Sequence, residues 1–250
     1  MKINPMEQFT VTPIVPLHIG AYDVSFTNQA LWMCVVVVAA SLFMTIAATS
    51  RRLVPTRMQS IAELSYEFVA NMIQSAAGDE GMRFFPFVFT LFMFVLFSNF
   101  FGLIPGAFTV TSQIAVTLSL AGLVILTVIV TGFARHGIGF LKLFVPKAPF
   151  VLLFLLVPIE LISFLTRPIS LSVRLFANML AGHTMLKVFA GFVIALGGAG
   201  GVLSALSIAP MFLIVAVSAL EMLVAFLQAY VFAILTCIYL SEALHLHEHH

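Results

Sequence analysis

The run from Phe150 to Leu196, FVLLFLLVPIELISFLTRPISLSVRLFANMLAGHTMLKVFAGFVIAL, decides the fold. It holds 47 residues of nearly continuous apolar character, which as one helix would reach about 70 Å at 1.5 Å per residue. The hydrocarbon core of a bilayer is only ~30 Å thick. The segment must therefore break, or lie tilted beyond the usual ~20°. A second stretch, Leu203 to Leu244, has 42 residues, or about 63 Å of helix. Pro158, Pro168 and Pro210 offer kinks. Between the two runs, Gly197-Gly198-Ala199-Gly200-Gly201 predicts a turn, so the pair reads as a helical hairpin with its tip outside.

The rest of the chain agrees with a membrane setting. Of 250 residues, 62% are hydrophobic and only 8% are charged, and the mean hydropathy is +1.15. A soluble domain carries about 25% charged residues. This chain cannot solvate its own surface in water, so a lipid bilayer must surround most of it and a soluble enzyme is excluded. The net charge of +1 gives no sign of a nucleic-acid partner. Cys34 and Cys237 sit far apart inside apolar runs, and no disulfide is expected. The opening MKINPMEQF lacks the basic and apolar regions of a cleaved signal peptide, so the first apolar run is expected to be retained.

That first run is about 27–49, followed by Arg51, Arg52 and Arg57. Basic loops stay cytoplasmic, which places the N-terminus outside. Over 54–77, Ile61, Leu64, Phe68 and Met72 recur at helical spacing, with Glu63, Glu67 and Asn71 on another face. This is the pattern of an amphipathic helix lying on the cytoplasmic surface. Further spans are expected at about 84–104, stopping at Gly102, Pro105 and Gly106, and at about 111–133. The next loop carries Arg135, His136, Lys142 and Lys147, again basic and cytoplasmic. Long helices follow at about 150–196 and 203–244, and the C-terminus returns to the cytoplasm. The expectation is an all-α integral membrane protein. It is a single membrane domain over 1–250, with vertical N-terminal spans, an amphipathic surface helix and a long, strongly tilted C-terminal hairpin.

Charges inside the long helices demand an explanation. A charged side chain near mid-membrane costs at least ~2.5–3.5 kcal/mol on insertion scales. Arg167 and Lys187 can snorkel from a tilted helix towards head groups, but Arg174 lies too deep in its run for that. At about 100° per residue, Glu160, Ser163, Arg167, Ser170, Arg174 and Asn178 fall within about 40° of one direction. On the last helix Glu221, Gln228 and Tyr239 also share a face. Polar stripes of this kind can serve as interhelical glue, yet glue has little use for a lone arginine and two carboxylates. An ion path fits better. His183, nine residues after Arg174, points the opposite way; it suits a separate access route, with Glu221 as a plausible neighbour.

At these residues the sequence resembles a known family. The run Pro168-Ile-Ser-Leu-Ser-Val-Arg174-Leu-Phe-Ala-Asn178-Met-Leu-Ala-Gly-His183 is similar to the signature of the subunit a family of F-type ATP synthases. Glu160, fourteen residues before Arg174, matches its acidic position. The last helix, with Glu221 and Gln228-Ala-Tyr-Val-Phe-Ala-Ile-Leu-Thr-Cys-Ile-Tyr239, matches in spacing. The resemblance covers Phe84 to Tyr239, and the placement of the acid and the histidine is of the mitochondrial and α-proteobacterial type. It implies a stator beside a rotating c-ring of small helical-hairpin subunits, each with one buried carboxylate, and it implies H+ as the translocated ion. Arg174 would separate two half-channels, with Gln228 its neighbour facing the ring. His183 and Glu221 would serve the outer half-channel. Glu160, Tyr239 and Ser170 would serve the cytoplasmic one, and Asn178 would lie near the ring contact. Peripheral stalk subunits are the further partners implied, touched by the amphipathic segment. The setting implied is a bacterial inner membrane, or alternatively a mitochondrial one.

Arginine suits such a gate because it stays charged at any working pH and cannot relay a proton. No nucleotide, metal or nucleophile motif occurs, so no cofactor is expected and ATP chemistry would belong to partner subunits. The tail His245-Leu-His247-Glu-His249-His250 has metal-binding residue types, but a solvated tail is the simpler reading. A secondary cation or proton transporter with an intramembrane ion-pair relay is the alternative function. It calls for repeats with matching broken spans, and none is visible. A bare membrane anchor would tolerate a neutral hydrogen-bonding residue in place of Arg174.

Overall fold

The computed structural model describes residues 9–16, 18–19, 22–23, 25–49, 55–104, 106–144 and 150–244. The readings made above on residues 1–8, Arg51, Arg52, Val54, Pro105, Lys147 and the histidine-rich tail lie outside them, as does the side chain of Lys142. Within the described residues the chain is an all-α integral membrane protein. Five stretches are long and apolar enough to cross a membrane.

Helix α1 spans Asn28–Thr49, and at 22 residues it matches the bilayer core. It begins where Thr27 Oγ1 accepts the amide of Ala30 at 3.3 Å, filling one of the free donors of a first turn. Ahead of it lie two short antiparallel ladders that the apolar pattern gives no hint of. β1 (Pro13–Val15) pairs with β4 (Phe26–Thr27), and β2 (His18–Ile19) pairs with β3 (Tyr22–Asp23).

Helix α2 runs Arg57–Gly81, started by Thr56, whose hydroxyl accepts from Gln59 N. It is interrupted at Gly78, where φ is 63°, a value open to glycine at no steric cost. The inward face of α2 differs from the stripe expected of it. Ala62, Val69, Met72, Ile73 and Ala77 are buried, whereas Ile61 and Leu64 point outward. Lipid accepts apolar side chains as readily as protein does, so the apolar stripe alone does not identify the packed face, which mixes large residues (Val69, Met72, Ile73) with small ones (Ala62, Ala77). Helix α3 is Phe85–Gly102. A single turn at Val110–Ser112 leads into α4, Ile114–His136.

Helix α5 is continuous over Phe150–Gly198, 49 residues, with Pro158 and Pro168 inside it. Each proline withholds one amide, but the neighbouring peptide groups have no water to bond with at membrane depth, and staying helical satisfies them. The second long stretch does break. Helix α6 covers Gly201–Leu206 and α7 covers Ile208–Leu244, with Pro210 in the first turn of α7, where a missing amide is harmless. Gly200 and Gly201, with φ of 71° and 61°, make the turn after α5.

The chain divides into two compact units. The first comprises Met1–Ser41, Phe94–Gln113 and Leu175–Gln228. Its core contains Val36, Val95, Leu175, Met179 and Ala225, together with an unusual share of buried polar side chains: Ser98, Asn99, Thr109, Thr111 and Ser112. The second comprises Leu42–Met93, Ile114–Arg174 and Ala229–His250. Its core is mainly apolar and aromatic, with Thr117, Ser172 and Thr236 as buried polar side chains. Phe68 packs against Phe92 and Tyr230, with ring centroids 5.8 and 5.7 Å apart, and Gly132 admits the ring of Phe140.

Candidate functional site

In the second unit, the polar stripe of α5 carries Glu160, Arg167, Ser170 and Arg174, and α7 contributes Tyr239. Arg167 Nη1 donates to Glu242 Oε2 at 2.5 Å, and the two side chains are each 30% exposed. The guanidinium of Arg167 also lies 5.6 Å from the centre of the Tyr239 ring, within reach of a cation–π attraction. Arg167 therefore belongs to a closed cluster and does not simply snorkel. Arg174, seven residues further along the same face, differs. It points outward and, among the described residues, has no hydrogen bond or ion pair. Its charge still acts on Tyr239 electrostatically. Ser170 also faces outward, and Glu160 is half-buried.

Glu242 escapes a reading of the apolar run, because an acid at the end of a hydrophobic stretch looks like a solvated terminus. Its spacing is the available signal: it lies one turn after Tyr239, on the same side of the helix. A second ion pair in this unit, Arg135 with Glu80 at 2.7 Å, is more exposed.

The first unit holds Asn178, His183, Glu221 and Gln228. Glu221 is buried at 8% exposure, and neither carboxylate oxygen has a partner among the described residues. The buried Gln228 Oε1 and Ser98 Oγ are likewise unpartnered. Buried polar atoms are normally satisfied, so these unpartnered atoms set Glu221, Gln228 and Ser98 apart from the rest of the buried polar side chains. Glu221 and His183 share no hydrogen bond among the described residues. The carboxylate lies against the α-carbon of Gly182, so closely that a methyl group there would overlap it. His183 Nε2 instead meets Thr109 Oγ1 at 3.4 Å.

A buried clamp holds α7 at this level. Thr111 Oγ1 donates to Asn99 Oδ1 at 2.9 Å, and Asn99 Nδ2 donates to the carbonyl of Ala225 at 3.1 Å, one turn beyond Glu221. The sequence reading passed over Ser98, Asn99, Thr109 and Thr111. Adjacent polar residues such as Ser98-Asn99 inside an otherwise apolar span are the signal that was available.

Comparison with known proteins shows which family the chain belongs to. The sequence model of the ATP synthase A chain family matches residues 30–241. The chain belongs to the ATP synthase A chain family. It is 62% identical over 245 residues to ATP synthase subunit a of Mesorhizobium japonicum, covering 98% of this chain and 97% of that one. To the subunit a of Chelativorans sp. it is 61% identical over 246 residues, covering 98% and 99% of the two chains. To that of Agrobacterium fabrum it is 58% identical over 246 residues, with the same coverage. Membership in this family makes the chain a multi-pass subunit of an ATP synthase, engaged in ion transport for ATP synthesis and assembled with other subunits of that enzyme. The match begins at residue 30, so the β-ladders ahead of α1 lie outside the span that the family model describes.

Proposed function

We propose that the chain works as one membrane domain, the stator of the proton-driven rotor, and that its partner at the α5 stripe is a ring of c subunits. The observation that carries this reading is Arg174, an outward-facing cation on an apolar helix with no partner of its own among the described residues. A permanent charge in lipid is unfavourable, so the surface around it calls for a foreign anionic group. A carboxylate passing on a neighbouring helix supplies one. Facing lipid, that carboxylate must be protonated. At ~4 Å from Arg174 the attraction is about 4 kcal/mol at an effective dielectric near 20, enough to favour the ionised form and release the proton.

His183 and Glu221 deliver protons from the outer side, and Gln228 neighbours Arg174 and faces the ring. Glu160, Ser170 and Tyr239 carry them away to the cytoplasm, and Asn178 lies at the ring contact. The grouping of the outer residues in one compact unit and the cytoplasmic ones in the other supports two separate routes. Arg174 keeps the routes apart because it does not titrate. The long helices lie strongly tilted against the ring, α2 faces the peripheral stalk, and the chain sits in a bacterial inner membrane with its N-terminus outside and its C-terminus in the cytoplasm. Cysteines placed at positions 170, 174 and 178 should each cross-link to cysteines on a co-purified small subunit. Cross-links from none of the three, with apolar-face controls reacting equally, would reject the stripe as the ring surface.

A further inference from the structure

The N-terminal segment, which precedes the part matched by the family model, touches one residue of the candidate outer route. The ring of Phe9 stands edge-on to the imidazole of His183, with centroids 6.4 Å apart and planes at 73°, an arrangement in which aromatic rings attract. Phe9 is held from behind, because its backbone carbonyl accepts from Gln113 Nε2 at 2.8 Å. The segment is fixed along its length as well. Asn28, at the head of α1, donates to the carbonyl of Thr10 at 3.2 Å and accepts from Thr12 N at 3.1 Å, and β1 is paired with β4.

On its other side His183 meets Thr109, which is buried. Thr109 and Gln113 flank the same short turn, Val110–Ser112. One small element thus presents the hydroxyl that contacts Nε2 and anchors the ring that packs on the imidazole edge. Two charged groups complete the surroundings. Lys187, one turn along α5, acts on His183 electrostatically, and Glu221 approaches from α7 against the adjacent Gly182.

We propose that Phe9, anchored by Gln113, is a positioning residue that fixes the His183 imidazole in the orientation in which Nε2 meets Thr109. Phe9 carries no proton. It limits the rotation of a ring that must hand protons on in one direction, and it keeps one edge of that ring dry. The proposal rests on the reading of His183 as a member of the outer half-channel.

The test uses the whole ATP synthase reconstituted in vesicles, with ATP-driven proton pumping followed across the pH on the side that His183 serves. Phe9→Ala should lower pumping roughly two- to tenfold, the range expected for loss of one edge-on ring contact, and displace the midpoint of the pH profile. Gln113→Ala should reproduce both changes, and Phe9→Tyr, which keeps the ring, should restore them. The decisive comparison repeats Phe9→Ala in a His183→Gln background, where it should have no further effect. Equal losses in both backgrounds, or an unchanged profile for Phe9→Ala, overturn the proposal alone. Full pumping by His183→Gln itself overturns the outer half-channel reading and the proposal with it. If Phe9→Ala depletes subunit a from the complex, Phe9→Leu keeps the apolar volume without the ring and carries the same comparison.

Discussion

Two groups of charges in this chain obey different rules. In the second unit, Arg167, Tyr239 and Glu242 satisfy one another across α5 and α7. Arg174, in the same unit, and Glu221, in the first, are left without such partners among the described residues. A satisfied pair at membrane depth holds helices together and resists change. An unsatisfied charge there is unfavourable, and its persistence points to a partner that comes and goes. Under the proposed function, the distinction separates residues that build the protein from residues that run it.

Substitutions should divide along the same line. Arg174→Ala should abolish coupled ATP synthesis in reconstituted vesicles while leaving assembly of the complex intact; near-normal synthesis would sink the gate. Arg174→Lys should also lose most synthesis, since an ammonium is more strongly hydrated and yields its proton more easily. Gly182→Ala should come next. The added methyl meets the Glu221 carboxylate, so proton flux should drop several-fold, with partial recovery when Glu221→Asp shortens the acid. No loss in Gly182→Ala would mean that Glu221 has room to spare and that its close seat is unimportant. Exchanging His183 and Glu221 should recover more flux than alanine at either position, and an exchange worse than both would end the idea that they act together.

The smallest effect on function belongs to the closed cluster. Arg167→Ala should lower the thermal stability of the complex by about 1–2 kcal/mol, as expected for a partly buried charged hydrogen bond, while synthesis per assembled complex stays within about twofold of normal. The charge swap of Arg167→Glu with Glu242→Arg should regain most of that stability. If Arg167→Ala instead behaved like Arg174→Ala, the two groups would not be distinct.

The helices themselves were largely legible, because runs of apolar residues must be helical in lipid. Helices α1, α3 and α5 begin at Asn28, Phe85 and Phe150, close to where those runs begin. Packing faces were less legible. In water, an apolar stripe marks the buried side, but Ile61 and Leu64 of α2 face outward while Ala62 and Ala77 pack inward. Of the three prolines, Pro158 and Pro168 lie within continuous helix, and the last stretch is interrupted at Ser207, within one turn of Pro210, whose missing amide leaves the carbonyl four residues back without its helical bond. For the site, the stripe containing Arg174 was readable from spacing alone. The Asn99–Ala225 bond and the Phe9–Gln113 tether were not, because hydrogen bonds spanning 126 and 104 positions leave no periodic trace in a single sequence.

The unbroken length of α5 has an electrical consequence. Were the 49 residues of α5 one straight rod, about 74 Å long, it would fit inside a membrane of ~40 Å with head groups only with its axis nearer the plane than the normal. Each residue would then change depth by about 0.8 Å or less in place of the 1.5 Å of an upright helix. Arg167 and Arg174 would be separated by only about 6 Å of depth, and so by a small part of the transmembrane voltage. Neighbouring positions along such a helix would sample nearly one potential; under the proposed function, that would let a ring of acids sweep past several fixed groups while the field does its work in the paths leading to them.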